Sequence, residues 1–339
     1  MKTDIKDLTI VELENEIIKL SLPKYRAGQI ATFIYKKGVN TFEAMSSISK
    51  ELRSDLGEKF VIGTIALEKH LKSRDGTEKF LFKLSDGKYI ETVLIRSKKR
   101  NTLCISTQVG CKFRCKFCAS GLKGFKRDLS PSEIVNQILY IQHTREEEIT
   151  NCVFMGMGEP LDNYKNLTRA IEIMNDPKGL EIGARRITVS TCGIIPGIQK
   201  LKNLGVQINL SVSLHAGNNK LRNELVPINK RYPLERLIKV LREYHDKTNR
   251  IITLEYVLID GVNDSKQDIT DLAGISKALG AKVNIIPYSA IKSFRFKTPQ
   301  KIVADRFCYK LIQSGAKATV RESKGADIQS ACGQLSGMI

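Results

Sequence analysis

Tryptophan is absent from the 339 residues, histidine occurs only four times and proline nine times. With so few histidines a His-built metal site is disfavoured, and without Trp no indole stacking platform is available. No run approaches the ~18 consecutive apolar residues of a membrane-spanning helix, so no membrane role is expected. The opening segment Met1-Lys2-Thr3-Asp4-Ile5-Lys6-Asp7 lacks the apolar centre of a signal peptide, which points to the cytoplasm. Acidic residues are also scarce: 36 Asp plus Glu stand against 55 Lys plus Arg, a net charge of +19. Hydrophobic residues at 42% and charged residues at 27% describe a folded chain, neither disordered nor a disulfide-dense mini-fold. The excess charge favours a polyanionic partner, because binding one releases its condensed counterions. Ten basic and no acidic residues lie between Arg96 and Arg127, and Lys292, Arg295, Lys297 and Lys301 form a sparser group.

Three regions follow from the patterning. Residues 1–60 read as a helical accessory domain. Thr9 and Glu12 form a capping box, Pro23 breaks the first helix, Tyr25–Lys37 gives a second that Gly38 stops, and a third runs over Ser49–Phe60. Residues 61–96 alternate with period two and read as a strand-rich linker. From 97 to 339, strand candidates at 103–106, 152–155, 186–190, 207–214, 252–259, 283–287 and 318–321 alternate with helical stretches. Those helices fall at 131–143, 165–174, 197–204, 234–245, 266–279 and 301–314. Six strand–helix units imply a parallel sheet whose chemistry sits at the C-terminal strand ends. Periodicity does not distinguish an open sheet from a barrel.

Eight cysteines in a reducing compartment point to metal or catalysis. Cys111-x-x-x-Cys115-x-x-Cys118 offers three thiolates and no adjacent fourth, which suits a 4Fe–4S cluster with one open iron. Structural zinc wants four closed ligands and would have to borrow Cys104 or Cys332. Met155-Gly156-Met157-Gly158-Glu159-Pro160 follows a strand, where glycines let backbone approach a ligand and Glu159 can accept from an ammonium. Ser190 and Ser213-Leu214-His215 end the next two strands. Cys332 sits in a tail where a thiol has no packing reason. Cys152, Cys192 and Cys308 read as core or helix-face thiols.

The cysteine spacing resembles the radical S-adenosylmethionine (SAM) superfamily. The segments Glu91–Ile95, Cys104–Cys111, Gly156–Pro160, Ser213–Ala216 and Ala331-Cys332-Gly333-Gln334-Leu335 resemble the RlmN/Cfr RNA methyltransferases over nearly the whole chain. The resemblance implies a partial (β/α)6 TIM-like barrel and one 4Fe–4S cluster held by Cys111, Cys115 and Cys118. It implies two SAM molecules per turnover, contacted by Gly158, Glu159, Ser190, Ser213, Leu214, His215 and Ser289. The family usually places Asn where this chain has Ser289, a shorter side chain with fewer polar atoms.

In such enzymes a first SAM methylates the tail cysteine, here Cys332. A 5′-deoxyadenosyl radical from a second SAM then activates that methyl group to add to an electron-poor adenine carbon. Cys104 matches the resolving thiol and Glu91 the proton acceptor. The resemblance implies that a Cys104–Cys332 disulfide forms each turnover and needs reduction. The implied substrate is carbon 2 of an adenosine in 23S rRNA near the peptidyl-transferase centre, with tRNA as a second substrate. An external one-electron reductant and a monomeric enzyme are expected. Pro160 favours carbon 2 over the Cfr-type carbon 8 that gives antibiotic resistance. A zinc-stabilised RNA-binding protein without catalysis is the alternative from another class.

Overall fold

The computed structural model describes residues 2–337. Three helices open the chain: α1 (Ile10–Lys19), α2 (Tyr25–Ala31) and α3 (Lys50–Lys59). The capping box is present, with the Thr9 hydroxyl accepting from the Glu12 N–H and the Glu12 carboxylate accepting from the Thr9 N–H. The second helix is shorter than its pattern suggests, because Thr32–Lys36 winds into a wider π-type turn before Gly38 stops it at φ +66°. Asp7 accepts the Ser132 N–H at 2.9 Å, fastening this region to the first helix of the barrel.

One ten-stranded sheet organises the rest. Its strands are β1 (Ala66–Lys72), β2 (Glu78–Lys83), β3 (Tyr89–Ser97), β4 (Arg100–Cys104), β5 (Asn151–Phe154), β6 (Ile187–Thr191), β7 (Asn209–Ser213), β8 (Thr253–Leu258), β9 (Lys282–Pro287) and β10 (Lys317–Val320). Spatial order equals chain order from one edge to the other. Strands β4 to β10 are parallel, and β1 to β4 pair antiparallel. The segment read as a linker is therefore the antiparallel extension of the barrel sheet, continuous through the pairing of β3 with β4.

The crossovers carry α4 (Pro131–Thr144), α5 (Tyr164–Asn175), α6 (Ile195–Leu201), α7 (Asn219–Leu225) with α8 (Leu234–Thr248), α9 (Lys266–Leu279) and α10 (Lys301–Gln313). A doubly wound sheet reverses its strand order at a switch point, and this one never does. Right-handed crossovers then place every helix on one face, and the sheet curls into an open barrel. Two helices differ from the sequence reading. Pro196 sits in the first turn of α6, which starts at Ile195 and ends at Leu201, earlier than the pattern suggested. Helix α7 was not foreseen: it is one short polar stretch, capped by the Asn218 side chain accepting from the Leu221 N–H at 3.0 Å.

Candidate active site

The C-terminal strand ends surround a cavity of about 820 Å³. The loop after β4 contributes Cys111, Cys115 and Cys118, the segment after β5 contributes Gly158 and Glu159, and Ser190, Ser213 and His215 line the far wall. Cys332 and Gly333 of the C-terminal tail close one side. Cys332, exposed, also lines an adjoining cavity of about 730 Å³, together with Cys104 and Arg321. One cysteine thus faces the cluster loop on one side and the thiol ending β4 on the other.

Burial pushes the Cys104 and Cys111 thiols up to about 12 and raises those of Cys115 and Cys118, with the neighbouring thiols adding to the rise at Cys111 and Cys115. Three thiolates crowded this way become stable when cationic iron replaces their protons. Among the described residues no three Cys, His, Asp or Glu side chains gather as a single ion requires. Cys332 is raised as well, by the protein around its cavity and then by Glu255.

The glycine segment is shaped by close approach. Gly158 has φ +96°, and a Cβ there would lie 2.5 Å from Gln108 Cβ. Gln108 matters because its Oε1 accepts the Glu159 N–H at 2.9 Å, while its Nε2 donates to Asp128 and Asp162. The Glu159 carboxylate is buried, which raises its pKa, and it accepts the Leu161 N–H at 3.1 Å and the Cys192 N–H at 2.8 Å. It is thereby fixed against the cavity wall. His215 adopts φ +59°, and its Nδ1 accepts the Val257 N–H at 3.0 Å, leaving the hydrogen on Nε2. Burial, and then the Arg222 charge, lower its pKa to about 3, so the ring is neutral. Phe117 packs edge-on against it at 4.4 Å.

Three expected residues face neither cavity. Leu214 is buried and absent from the lining, and its backbone is engaged within the protein: its N–H donates to the Glu255 carbonyl at 3.0 Å and its carbonyl accepts from Arg222. Ser289 is buried beyond the lining residues. Glu91 lines a separate hollow beside Lys79 and Ser336, with its carboxylate engaged there.

Sequence reading missed Cys192, Arg222 and Glu255. Cys192 is a buried core thiol, as expected, but it also lines the cavity. Glu255 is buried on the inner face of β8; its Oε1 accepts from Ser211 and Asn284 at 3.1 Å, and its Oε2 has no partner among the described residues. A lone carboxylate inside the apolar run Ile252–Ile259 was the available signal. Arg222 on a short polar helix gave none. The basic run is also less free than its composition suggests. Arg96 pairs with Glu78 and Glu147, Arg127 with Asp86 and Glu133, and Lys112 with Asp162. Lys98, Lys99 and Arg100 are exposed, but they lie where β4 begins, at the end of the barrel opposite the cavity.

The tail is built into this site. The Ala119 N–H donates to the Gly333 carbonyl at 2.6 Å, and the Ser120 hydroxyl to the Leu335 carbonyl at 2.7 Å. Within the tail, Gln334 accepts the Ala331 N–H at 3.1 Å and donates to the Ala290 carbonyl at 3.0 Å. The cluster loop and the tail therefore dock as one unit.

Residues 105–273 match the radical SAM superfamily, and residues 3–62 match the ribosomal RNA large subunit methyltransferase N-terminal domain. A probable dual-specificity RNA methyltransferase RlmN of Caldanaerobacter subterraneus subsp. tengcongensis is 46% identical over 333 residues, covering 98% of this chain and 97% of that protein. The dual-specificity RNA methyltransferase RlmN of Geobacter sulfurreducens is 44% identical over 336 residues, covering 99% and 92%. The crystal structure of a radical SAM methyltransferase from Sphaerobacter thermophilus superposes with a TM-score of 0.94 at 42% identity, covering 99% of this chain and all of that one. With the cysteine loop, the glycine segment and the docked cysteine tail converging on one barrel mouth, the chain belongs to the RlmN family of radical SAM RNA methyltransferases.

Proposed function

We propose that the enzyme methylates carbon 2 of an adenosine in 23S rRNA, and an adenosine in tRNA, through an S-methylcysteine on Cys332. The single observation that carries this reading is the position of Cys332 between two adjoining cavities, one with Cys111, Cys115 and Cys118, the other with Cys104. The names of the relatives, dual-specificity RNA methyltransferase RlmN, support methyl transfer to RNA, and the choice of carbon 2 over carbon 8 rests on Pro160 and the resemblance that it carries. Cys111, Cys115 and Cys118 would hold the 4Fe–4S cluster. Gly158, Glu159, Ser190, Ser213 and His215 would hold SAM, with Leu214 and Ser289 supporting them from behind the lining residues. When bound, the cluster and two SAM molecules supply the electron, the methyl group and the hydrogen-abstracting radical.

The chain's own residues do the rest. Glu159, anchored by two backbone N–H groups, presents negative charge for an ammonium, and neutral His215 offers Nε2–H as a donor. The sulfur of Cys332 carries the methyl group to the base and so becomes joined to the RNA, which splits one hard step into easier ones. Glu91 accepts the ring proton once the tail has left it. The Cys104 thiolate then attacks the Cys332 sulfur, and the carbon–sulfur bond breaks. Its electron pair stays with the transferred carbon, which takes up a proton to become the methyl group. The remaining disulfide must be opened by a thiol reductant. A monomer in the cytoplasm, fed by an external one-electron donor, is the setting; among the described residues no helix is long and apolar enough to cross a membrane.

The deciding experiment is the mass of the Cys332 peptide from protein carrying its cluster and treated with SAM. One added methyl group is expected, and an unmodified Cys332 would overturn the mechanism. Nucleoside analysis of treated rRNA should give 2-methyladenosine; 8-methyladenosine as the main product would reassign the ring position.

A further inference from the structure

Arg222 is fully buried on α7, and no Asp or Glu among the described residues forms an ion pair with it. Its guanidinium donates to neutral oxygens instead. Nε reaches the Leu214 carbonyl at 3.1 Å, Nη1 reaches Asn229 Oδ1 at 2.7 Å, and Nη2 reaches the carbonyls of Cys192 at 2.8 Å and Ser213 at 3.2 Å. A buried cation with no anion is costly, and such charges are kept where something compensates them. Burial lowers its pKa only to about 10, so it stays charged at neutral pH. The groups whose negative charge would favour it are the thiols of Cys192 and Cys115. Glu159 is near but does not pair with it: Glu159 takes the N–H of Cys192 while Arg222 takes the carbonyl of the same residue.

The placement joins two parts of the site. The carbonyls that Arg222 holds end β6 and β7, the strands that present Ser190 and Ser213 to the cavity. The last residue of the same helix, Leu225, accepts the N–H of Lys116 at 3.0 Å, between Cys115 and Cys118. We infer that Arg222 is the counter-charge of the thiolate-held cluster and the clamp that keeps the two SAM-facing strand ends in register with the cluster loop. It is a positioning residue, acting on the cluster through space and on SAM through backbone. The inference rests on the reading that Cys111, Cys115 and Cys118 hold the cluster.

The test uses full-length Arg222→Met, Arg222→Lys and Asn229→Asp, loaded anaerobically with iron and sulfide. Midpoint potential, iron retention and SAM affinity are measured, with melting of the cluster-free proteins alongside. Asn229→Asp leaves the guanidinium in place but gives it a carboxylate of its own, at the loss of the Nδ2 bonds to Asn219 and Asn223, and the melting measurement reports whether the fold tolerates that loss. Arg222→Met should move the potential to a more negative value, because a positive neighbour no longer favours the added electron, and weaken SAM about tenfold. Asn229→Asp should move the potential the same way, and Arg222→Lys should stay near wild type. Wild-type potential and SAM affinity in Arg222→Met and Asn229→Asp would overturn the inference; should Arg222→Met not fold, Asn229→Asp decides by the same criterion. Wild-type protein that takes up no iron would overturn the cluster reading itself, and this inference with it.

Discussion

Glu91 holds the end of the tail that carries Cys332: its Oε2 accepts the Ser336 N–H at 2.6 Å, and the Gly337 N–H at 2.9 Å. Its Oε1 pairs with Lys79 at 2.9 Å, and Lys79 in turn donates to the Gln329 carbonyl. The antiparallel strands β2 and β3 thus clasp the tail on both sides of Cys332.

Glu91→Ala removes both acceptors and leaves a buried ammonium. Hydrogen bonds to charged groups contribute about 1.5–3 kcal/mol each, so amide exchange over residues 330–337 should quicken by at least roughly tenfold. Glu91→Gln keeps one carbonyl oxygen for the tail and should protect it better. If both variants lose methylation while only Glu91→Ala loosens the tail, docking and proton acceptance are separate duties of one carboxylate. Unchanged exchange in Glu91→Ala would refute the docking role.

The shared cavity of Cys104 and Cys332 makes a second prediction about release. Cys104→Ala should still take a methyl group on Cys332 and join to RNA, but the adduct should persist on a denaturing gel in the presence of thiol reductant. Cys332→Ala should form no adduct. Several turnovers by Cys104→Ala without an adduct would remove Cys104 from the mechanism.

The strand–helix units were legible because their signals are local, whereas their closure into a barrel came only with the family resemblance. Alternating apolar strands and amphipathic helices give the unit count, and the ACGQL tail carries a thiol with nothing to pack against. Sheet order was not legible, since no local pattern says that β3 pairs with β4; residues 61–96 therefore read as a linker. Arg222 and Glu255 escaped for a different reason. Among the described residues Arg222 is a buried cation without an ion pair and Glu255 a buried carboxylate with one unpartnered oxygen, and such states appear only when distant elements are assembled. Glu91 shows the converse: its resemblance-based role was readable, while its grip on Ser336 spans 245 residues.

His215 supplies a pH signature. Its folded pKa near 3 lies below the ordinary 6.5, because burial and the Arg222 charge disfavour the imidazolium. Between those values the unfolded chain binds more protons than the native one, so stability rises with pH and is fully present above about 6.5. It falls on acidification, and at pH 5 this group alone should cost about 2 kcal/mol. His215→Gln should flatten the slope measured by urea unfolding of cluster-free protein between pH 7 and 5. Buried Glu159 and Glu255, whose pKa values are raised, act in the opposite sense in both proteins and leave the difference intact. An identical slope in the variant would show that His215 is protonated in the native state.

The placement of charge predicts where RNA lands. Exposed Arg114, Lys116, Lys123 and Lys126 stand on the cluster loop, and exposed Lys292, Arg295 and Lys297 follow β9 on the same rim. Among the described residues none of these forms an ion pair, unlike Arg96, Lys112 and Arg127 in the same stretch. Each cation that neutralises a phosphate contributes about −0.9 to the slope of log K against log salt on a duplex, and about −0.7 on a single strand. Reversing Lys123, Lys126, Lys292 and Arg295 should therefore weaken binding of an rRNA fragment and flatten that slope by roughly three units. Reversing Lys98, Lys99 and Arg100, at the opposite end of the barrel, should change it little. Titrations over a salt series compare the two. A larger loss from the second set would place the RNA across the N-terminal strand ends, away from Cys332, and would require a second binding surface.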